Sequence, residues 1–268
     1  MYRADAEAHY KDVAGKAIQG IGVTRTNLHR ILRSMDFVGW SSHEESGRLD
    51  RRALTRFASG SVNIFSRRMM TESETSAVSI LIDCSGSMRG ADGSEGRIDI
   101  AQQIAIHLSK LLQQARVPFA VTGFKSGGFD ERIINNHHVY TESPAFIQFK
   151  QWGKSLQSSI AHMGYIHRSA GGGTPDYSAA VNALTDLHAR PEARKILFLL
   201  TDADSYYTHH MQHVQKMADK MGITIVAIGI GNTDVQSCFV NAVNVHNLDQ
   251  LASTSFNQLL KAVERKRR

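Results

Sequence analysis

The sequence predicts an α/β protein: a doubly wound, mostly parallel sheet with helices on both faces, plus a small helical N-terminal region. Three observations predict it. Continuous apolar runs, AVSILID (77–83), KILFLL (195–200) and ITIVAIGI (223–230), read as strands buried on both faces. Segments between them carry apolar residues at helical spacing. Turns rich in Gly, Ser and Thr fall directly after the strands, where ligands of such sheets sit.

Residues 1 to about 34 lack Pro, and Val13, Ala17, Ile18, Ile21, Leu28, Ile31 and Leu32 recur at helical spacing, so this stretch is expected to be helix, divided near Gly20 and Gly22. Residues 36–60 are mixed, and GRLDRRALTRFASG (47–60) reads as a short helix between glycines. VNIFSRRMM (62–70) reads as extended. These segments make up an expected helical N-terminal extension, residues 1–75, ahead of a main domain, 76–268. In that domain AVSILID is followed by a helix whose face is Ile98, Ala101, Ile104, Ala105, Leu108, Leu111 and Leu112. VPFAVTGF (117–124) and residues 133–140 are expected strands, and 153–167 a polar helix. GGGTP (171–175) opens a helix in which Pro175 suits the first position and Tyr177, Val181, Leu184 and Leu187 supply the apolar face. The strand KILFLLTD, a helix near 208–221, the strand ITIVAIGIG, a short strand AVNVHNL (242–248) and a last helix from about 249 complete the alternation.

Composition excludes several classes. With 42% hydrophobic residues in 268, the chain can bury a sizeable core and is not disordered. No apolar run approaches the roughly 18–20 residues of a membrane span, and MYRADAEAHYKDVAG lacks the apolar stretch of a secretory signal. Two cysteines, Cys84 and Cys238, make no disulfide framework. The expectation is a soluble cytoplasmic protein without a membrane association. The net charge of +6 is concentrated at the end: KAVERKRR holds five basic residues and one acidic. It can be read as a solvated helix end or as a nucleic-acid contact, and the first is preferred because no recognition-helix or zinc-finger pattern accompanies it.

Three clusters stand at strand ends: Asp83-Cys84-Ser85-Gly86-Ser87, Thr174 in GGGTP, and Thr201-Asp202-Ala203-Asp204. All offer hard oxygen donors, which suit Mg²⁺, with Mn²⁺ as a substitute. A carboxylate at the strand end can anchor an ion, and alternate hydroxyls in the turn that follows can face the same point. Taken singly, each cluster is equally well a helix cap or a strand-end cap. Together, on one edge of one sheet, they favour a metal site. Cys84 alternates with the oxygen donors and is expected to point into the core as a small hydrophobe.

DCSGSM, GGGTP and TDAD, in this order and on this alternation, resemble a von Willebrand factor A domain with a metal-ion-dependent adhesion site (MIDAS) over residues 76–265. The resemblance implies that Asp83, Ser85, Ser87 and Thr174 ligate the ion, and Asp202 directly or through water. GRLD (47–50), LIDCSGSMRG (81–90), VTGF (121–124) and AIGIG (227–231) resemble the C-terminal half of the CobT subunit of cobaltochelatase, whose partner is a MoxR/CobS-type AAA+ ATPase. Short stand-alone relatives with a helical N-terminus resemble it too. The chain departs from CobT in lacking a long acidic region and in carrying ADGSEGR after SMRG.

Other patterns fail on spacing. His209, His210 and His213 give H-H-x-x-H, but the metalloprotease pattern requires Glu where His210 stands, so a solvated helix face is expected. Gly153-Lys154-Ser155 resembles the end of a P-loop, yet Gln148 stands where Gly is required. There is no dinucleotide fingerprint and no nucleophile elbow. The functional expectation is therefore a Mg²⁺-dependent binding module with no catalytic residues of its own. By resemblance it would be an adaptor for a MoxR-type AAA+ ATPase, an acidic residue of the partner completing the metal site. The alternative by resemblance is an accessory subunit of an ATP-dependent cobalt or magnesium chelatase, beside a chelatase large subunit.

Overall fold

The computed structural model describes residues 2–16, 26, 35–44, 46–50, 65–72, 76–90, 95–134, 137–202, 208–231, 233–247 and 249–250. The chain divides into two compact units: Met1–Leu32 with Thr75–Arg268, and Arg33–Glu74.

The smaller unit corrects one expectation. Residues 1–75 are not helical throughout. β1 (Met35–Glu44), β2 (Arg48–Leu49) and β3 (Phe65–Glu72) form an antiparallel sheet in the order β1-β3-β2. Phe65–Glu72 is extended as VNIFSRRMM implied. The start of the expected helix at 47–60 is instead strand at Arg48–Leu49, and 51–64 lies outside the described residues. Phe37 and Trp40 have high strand preference and pair with Met70 and Arg68 of β3, while Val38 stands at a register shift.

In the larger unit the six-stranded sheet runs β6-β5-β4-β7-β8-β9. β4 (Ser76–Asp83), β7 (Arg194–Thr201), β8 (Ile223–Ile230) and β9 (Ala242–Val245) are parallel to their neighbours, as is β5 (Phe119–Ile134) to β4. Only the edge strand β6 (His137–Lys150) is antiparallel, paired with β5. The expected doubly wound, mostly parallel sheet is the observed one. Every residue of β4 is buried. Alternation along the strands divides the core in two. Val78, Ile80, Ile82, Ile196, Phe198, Leu200 and Ile228 pack with α2 (Arg97–Gln114) on one face. Leu81, Leu197, Leu199 and Ile225 pack on the other with α4 (Asp176–His188) and α5 (Thr208–Met221). The α2 face predicted from Ile98 to Leu112 is buried throughout, each large side chain contributing about 1.5–3 kcal/mol of transfer free energy. Gly96 caps α2, its N–H donating to Asp99 Oδ2 at 2.7 Å.

Two further expectations change. The strands expected at 117–124 and 133–140 are parts of a much longer hairpin. Only Val78–Asp83 of β4 pairs with Phe119–Phe124, so the rest of β5 has β6 alone as its partner. The polar helix expected at 153–167 is broken into a 3₁₀ turn at Gln157–Ser159, the short helix α3 (Ile160–Gly164) and a second 3₁₀ turn at Ile166–Arg168. Serine side chains act at the first of these breaks. Ser155 Oγ accepts from the Ser158 N–H at 3.1 Å, and the Ser158 and Ser159 hydroxyls both donate to the Ser155 carbonyl. These contacts compete with the helical ladder. Pro175 is the residue before α4 rather than its first position.

The first helix, α1 (Tyr2–Gly15), packs on α2 and α3. Tyr10 and Val13 are buried in the α2-face core, Lys110 Nζ donates to the Ala14 carbonyl at 2.7 Å, and His9 Nε2 lies 2.9 Å from Gln102 Oε1. Residues 17–25 and 27–34, with the rest of the predicted apolar face, lie outside the described residues, as do Asp204, the last helix beyond residue 250 and the basic tail. α6 (Val235–Cys238) precedes β9. Among the described residues no helix is long and apolar enough to cross a membrane.

Candidate metal centre

Strand order reverses beside β4: the chain leaves it for β5 and β6 on one side, then returns to β7 on the other. The crevice outside the carboxyl ends of β4 and β7 is where a doubly wound sheet receives its ligand. Asp83 ends β4, and Asp202 follows the last residue of β7.

Asp83 is fully buried, and both of its oxygens are held. Oδ1 accepts from the Ser85 N–H at 2.8 Å, and Oδ2 from the Thr201 hydroxyl at 3.0 Å. Ser85, also buried, shares a 3.0 Å hydrogen bond with the exposed Ser87 through their hydroxyls. Ser87 donates to Asp202 Oδ1 at 3.1 Å. An unbroken chain therefore runs Asp83–Ser85–Ser87–Asp202 across two strand ends. Burial pushes the Asp83 carboxyl up to about 6, and the charge of Asp202 adds to this, against hydrogen bonds from Ser85 and Thr201.

Backbone contacts seat the glycine turn on this loop. The Gly171 N–H donates to the Cys84 carbonyl at 2.9 Å, and the Gly86 N–H to the Gly172 carbonyl at 2.8 Å. The Ser126 N–H, from β5, donates to the Gly173 carbonyl at 3.1 Å. Gly172 has φ +83°, a conformation that a side chain would strain, and a Cβ on Gly86 would sit 3.2 Å from its carbonyl. Thr174, half-buried, leaves this turn just before α4. The structure thus brings Asp83, Ser85, Ser87 and Asp202 into one hydrogen-bonded chain and holds the turn that leads to Thr174 against the same loop.

The donor chemistry fits a small divalent cation. Two buried carboxylates lie close together, the charge of Asp202 helping to push the Asp83 carboxyl up, and hydroxyls surround them. Hard oxygens without thiolate or imidazole suit Mg²⁺ or Mn²⁺. Among the described residues no group of three or more His, Cys, Asp or Glu is arranged to hold a metal, so hydroxyls are essential to this donor set.

The neighbours of the site match the remaining expectations. Cys84 points into the core, fully buried, with its thiol pushed up to about 12 by burial, and the Ser169 hydroxyl donates to its Sγ at 3.2 Å. His209, His210 and His213 are exposed on α5, and the rings of His210 and His213 lie 5.6 and 6.2 Å from that of Tyr177. Sequence reasoning missed Arg97, whose Nη1 donates to Asp202 Oδ2 at 2.7 Å. Its signal was the insertion ADGSEGR, which ends at this residue.

The profile of the von Willebrand factor type A domain matches residues 78–265, and the chain belongs to that family. Solved structures show the same fold. The PilB minor pilin of Streptococcus sanguinis is 16% identical, with a TM-score of 0.53, and the match covers 75% of this chain and 64% of that one. Proximal thread matrix protein 1 of the mussel byssus is 17% identical, with a TM-score of 0.50, over 70% of this chain and 46% of that one. The same byssus protein has been solved with a zinc-occupied MIDAS motif, a structure that matches at 17% identity and a TM-score of 0.49 over the same shares of the two chains.

Proposed function

We propose that this chain is a metal-dependent protein-interaction module whose ion, Mg²⁺ or Mn²⁺, is held by Asp83, Ser85, Ser87, Thr174 and Asp202. The observation that carries the reading is the hydrogen-bonded chain from Asp83 through Ser85 and Ser87 to Asp202. When bound, the ion supplies a Lewis-acidic coordination position at the mouth of the crevice. The buried Asp83 anchors it, and Thr201 and the Ser85 N–H orient that carboxylate. Ser87 is exposed, so the site opens to solvent on that side. The occupant of the open position is an acidic side chain of a partner protein, because a hard cation in a partly dry interface favours an anionic oxygen.

The partner we propose is a MoxR-type AAA+ ATPase, this chain serving as its adaptor in the manner of CobT. The support is the run LIDCSGSMRG with VTGF and AIGIG, together with the missing P-loop, which leaves ATP hydrolysis to another chain. Such a partner works where ATP is available, and the cytoplasm is the compartment this reading proposes for the complex.

The test is capture from host lysate by tagged wild type, Asp83→Ala and Thr174→Ala, each in Mg²⁺ and in EDTA, read by mass spectrometry. The expected result is an AAA+ ATPase retained by wild type in Mg²⁺ alone. Co-purification of a chelatase large subunit would assign the complex to tetrapyrrole metallation. Equal capture by all proteins in both conditions would overturn the metal-bridged reading.

A further inference from the structure

Arg97 is the first residue of α2, and its guanidinium divides Asp202 with the metal centre. Asp202 Oδ1 accepts from Ser87, within the proposed ligand set, and Oδ2 accepts from Arg97 Nη1 at 2.7 Å. The Arg97 side chain is 44% exposed and that of Asp202 3%, so the pair spans the rim, with the carboxylate inside and the guanidinium half in solvent. Gly231, at the carboxyl end of β8 with φ +89°, keeps backbone beside the arginine: a Cβ there would lie 3.4 Å from Arg97 Nε. The arginine is thereby placed between the ends of β7 and β8, next to the open side of the site.

Charge counting gives this placement a consequence. Asp83 and Asp202 carry two negative charges when ionised, which a divalent ion cancels. A neutral site of that kind holds its ion well but attracts an anionic ligand weakly. Arg97 adds one positive charge to this pair at the rim, while the Glu142 carboxylate lies against Gly173 in the neighbouring turn. The planar fork of Arg97 also matches the two oxygens of a carboxylate, which a single metal position does not.

We propose that Arg97 is a specificity-determining residue of the interaction site, pairing with the bound ion to select a carboxylate from the partner. The inference rests on the metal-dependent reading given above. It predicts effects of opposite sign on two ligands. The arginine repels the ion and attracts the anion, so its removal strengthens metal binding and weakens carboxylate binding. A residue that only braced Asp202 would, when removed, weaken metal binding.

The experiment titrates wild type, Arg97→Gln and Arg97→Lys with MnCl₂ by calorimetry, then titrates the Mn²⁺-loaded proteins with sodium acetate, read by water-proton relaxation. Coulomb's law for charges of one and two at about 6 Å in a water-like medium gives changes of about tenfold. The expected result for Arg97→Gln is Mn²⁺ affinity raised about tenfold and acetate affinity, which involves two unit charges at a similar distance, lowered about threefold. Arg97→Lys keeps the charge and should hold Mn²⁺ as wild type does, with acetate binding between the other two. Weaker Mn²⁺ binding by Arg97→Gln, or acetate binding unchanged, would overturn the proposal while leaving the metal site standing. Absence of Mn²⁺ binding by wild type would overturn the metal-dependent reading and this inference with it.

Discussion

Ser87 donates to Asp202 Oδ1 at 3.1 Å, a contact between residues 115 positions apart that ties the loop after β4 to the end of β7. It makes the two carboxylates, Asp83 and Asp202, members of one site. Asp83→Asn removes half of the negative charge available to an ion, and calorimetric titration with Mn²⁺ should then give no measurable binding. Thr174→Ala should weaken binding by about 10- to 100-fold, the scale reached even by groups that only orient a ligand. Wild-type affinity in Asp83→Asn would exclude Asp83 as the anchor.

The pH dependence of the same carboxylate has a definite sign. Asp83 is pushed up from 3.8 to about 6, so the folded protein favours its protonated form. In the metal-free protein the contribution of this group to stability is fully present below about pH 4 and is lost as pH rises through about 6. A bound cation favours the ionised form and reverses the balance. The rise in Tm produced by Mg²⁺ should therefore be larger at pH 7 than at pH 5. A metal-induced shift that does not change between these pH values would contradict the assignment.

Docking of α1 depends on Gly164. A Cβ at this position would lie 1.8 Å from the Ala6 carbonyl oxygen, and backbone on both sides leaves no flexible side chain to yield. Gly164→Ala should lift α1 and expose Tyr10 and Val13, at a cost of about 1–3 kcal/mol by chemical denaturation. Cleavage within residues 2–15 by a trace protease should accelerate in parallel. Unchanged stability together with unchanged proteolysis would mean that α1 does not pack there.

Lys150 is 4% exposed, donates to the Phe119 carbonyl, and lies 3.9 Å from the centroid of the Phe119 ring. Burial lowers its amine from 10.5 to about 8. The charged form is the costly one in the folded state, so wild-type stability should gain from this group as pH rises from about 8 to about 10.5. In Lys150→Met that gain should vanish. Denaturant midpoints of the two proteins, compared across this window, provide the check, and parallel curves would show that the amine is not desolvated.

Much of the molecule was legible in the chain itself. AVSILID, KILFLL and ITIVAIGI became β4, β7 and β8 because short apolar runs, bounded by turn residues and alternating with helices, suit strands buried on both faces of a parallel sheet. The helical face from Ile98 to Leu112 was readable for the same reason. The candidate site was legible in part, since Asp83, Ser85, Ser87 and Asp202 stand at the points where such strands end and Thr174 in the glycine turn that opens α4. Local pattern misled where partners are distant or side chains compete. Met35–Glu44 and Phe65–Glu72 are strands through pairing with each other, and the helix expected at 153–167 is interrupted by Ser155. The β5–β6 hairpin outruns the apolar run that announced it, because its outer part needs only its own partner.

The strand and helix order of the sheet and the kind of oxygen donors at its carboxyl edge were readable from the chain, since both are written as local periodicity and residue type. Tertiary structure alone decided that Thr201 holds Asp83, that the glycine turn seats on Cys84 and Gly86, and that Arg97 claims one oxygen of Asp202. Each of these joins segments far apart in the chain at about 3 Å, a distance that only the closed fold sets.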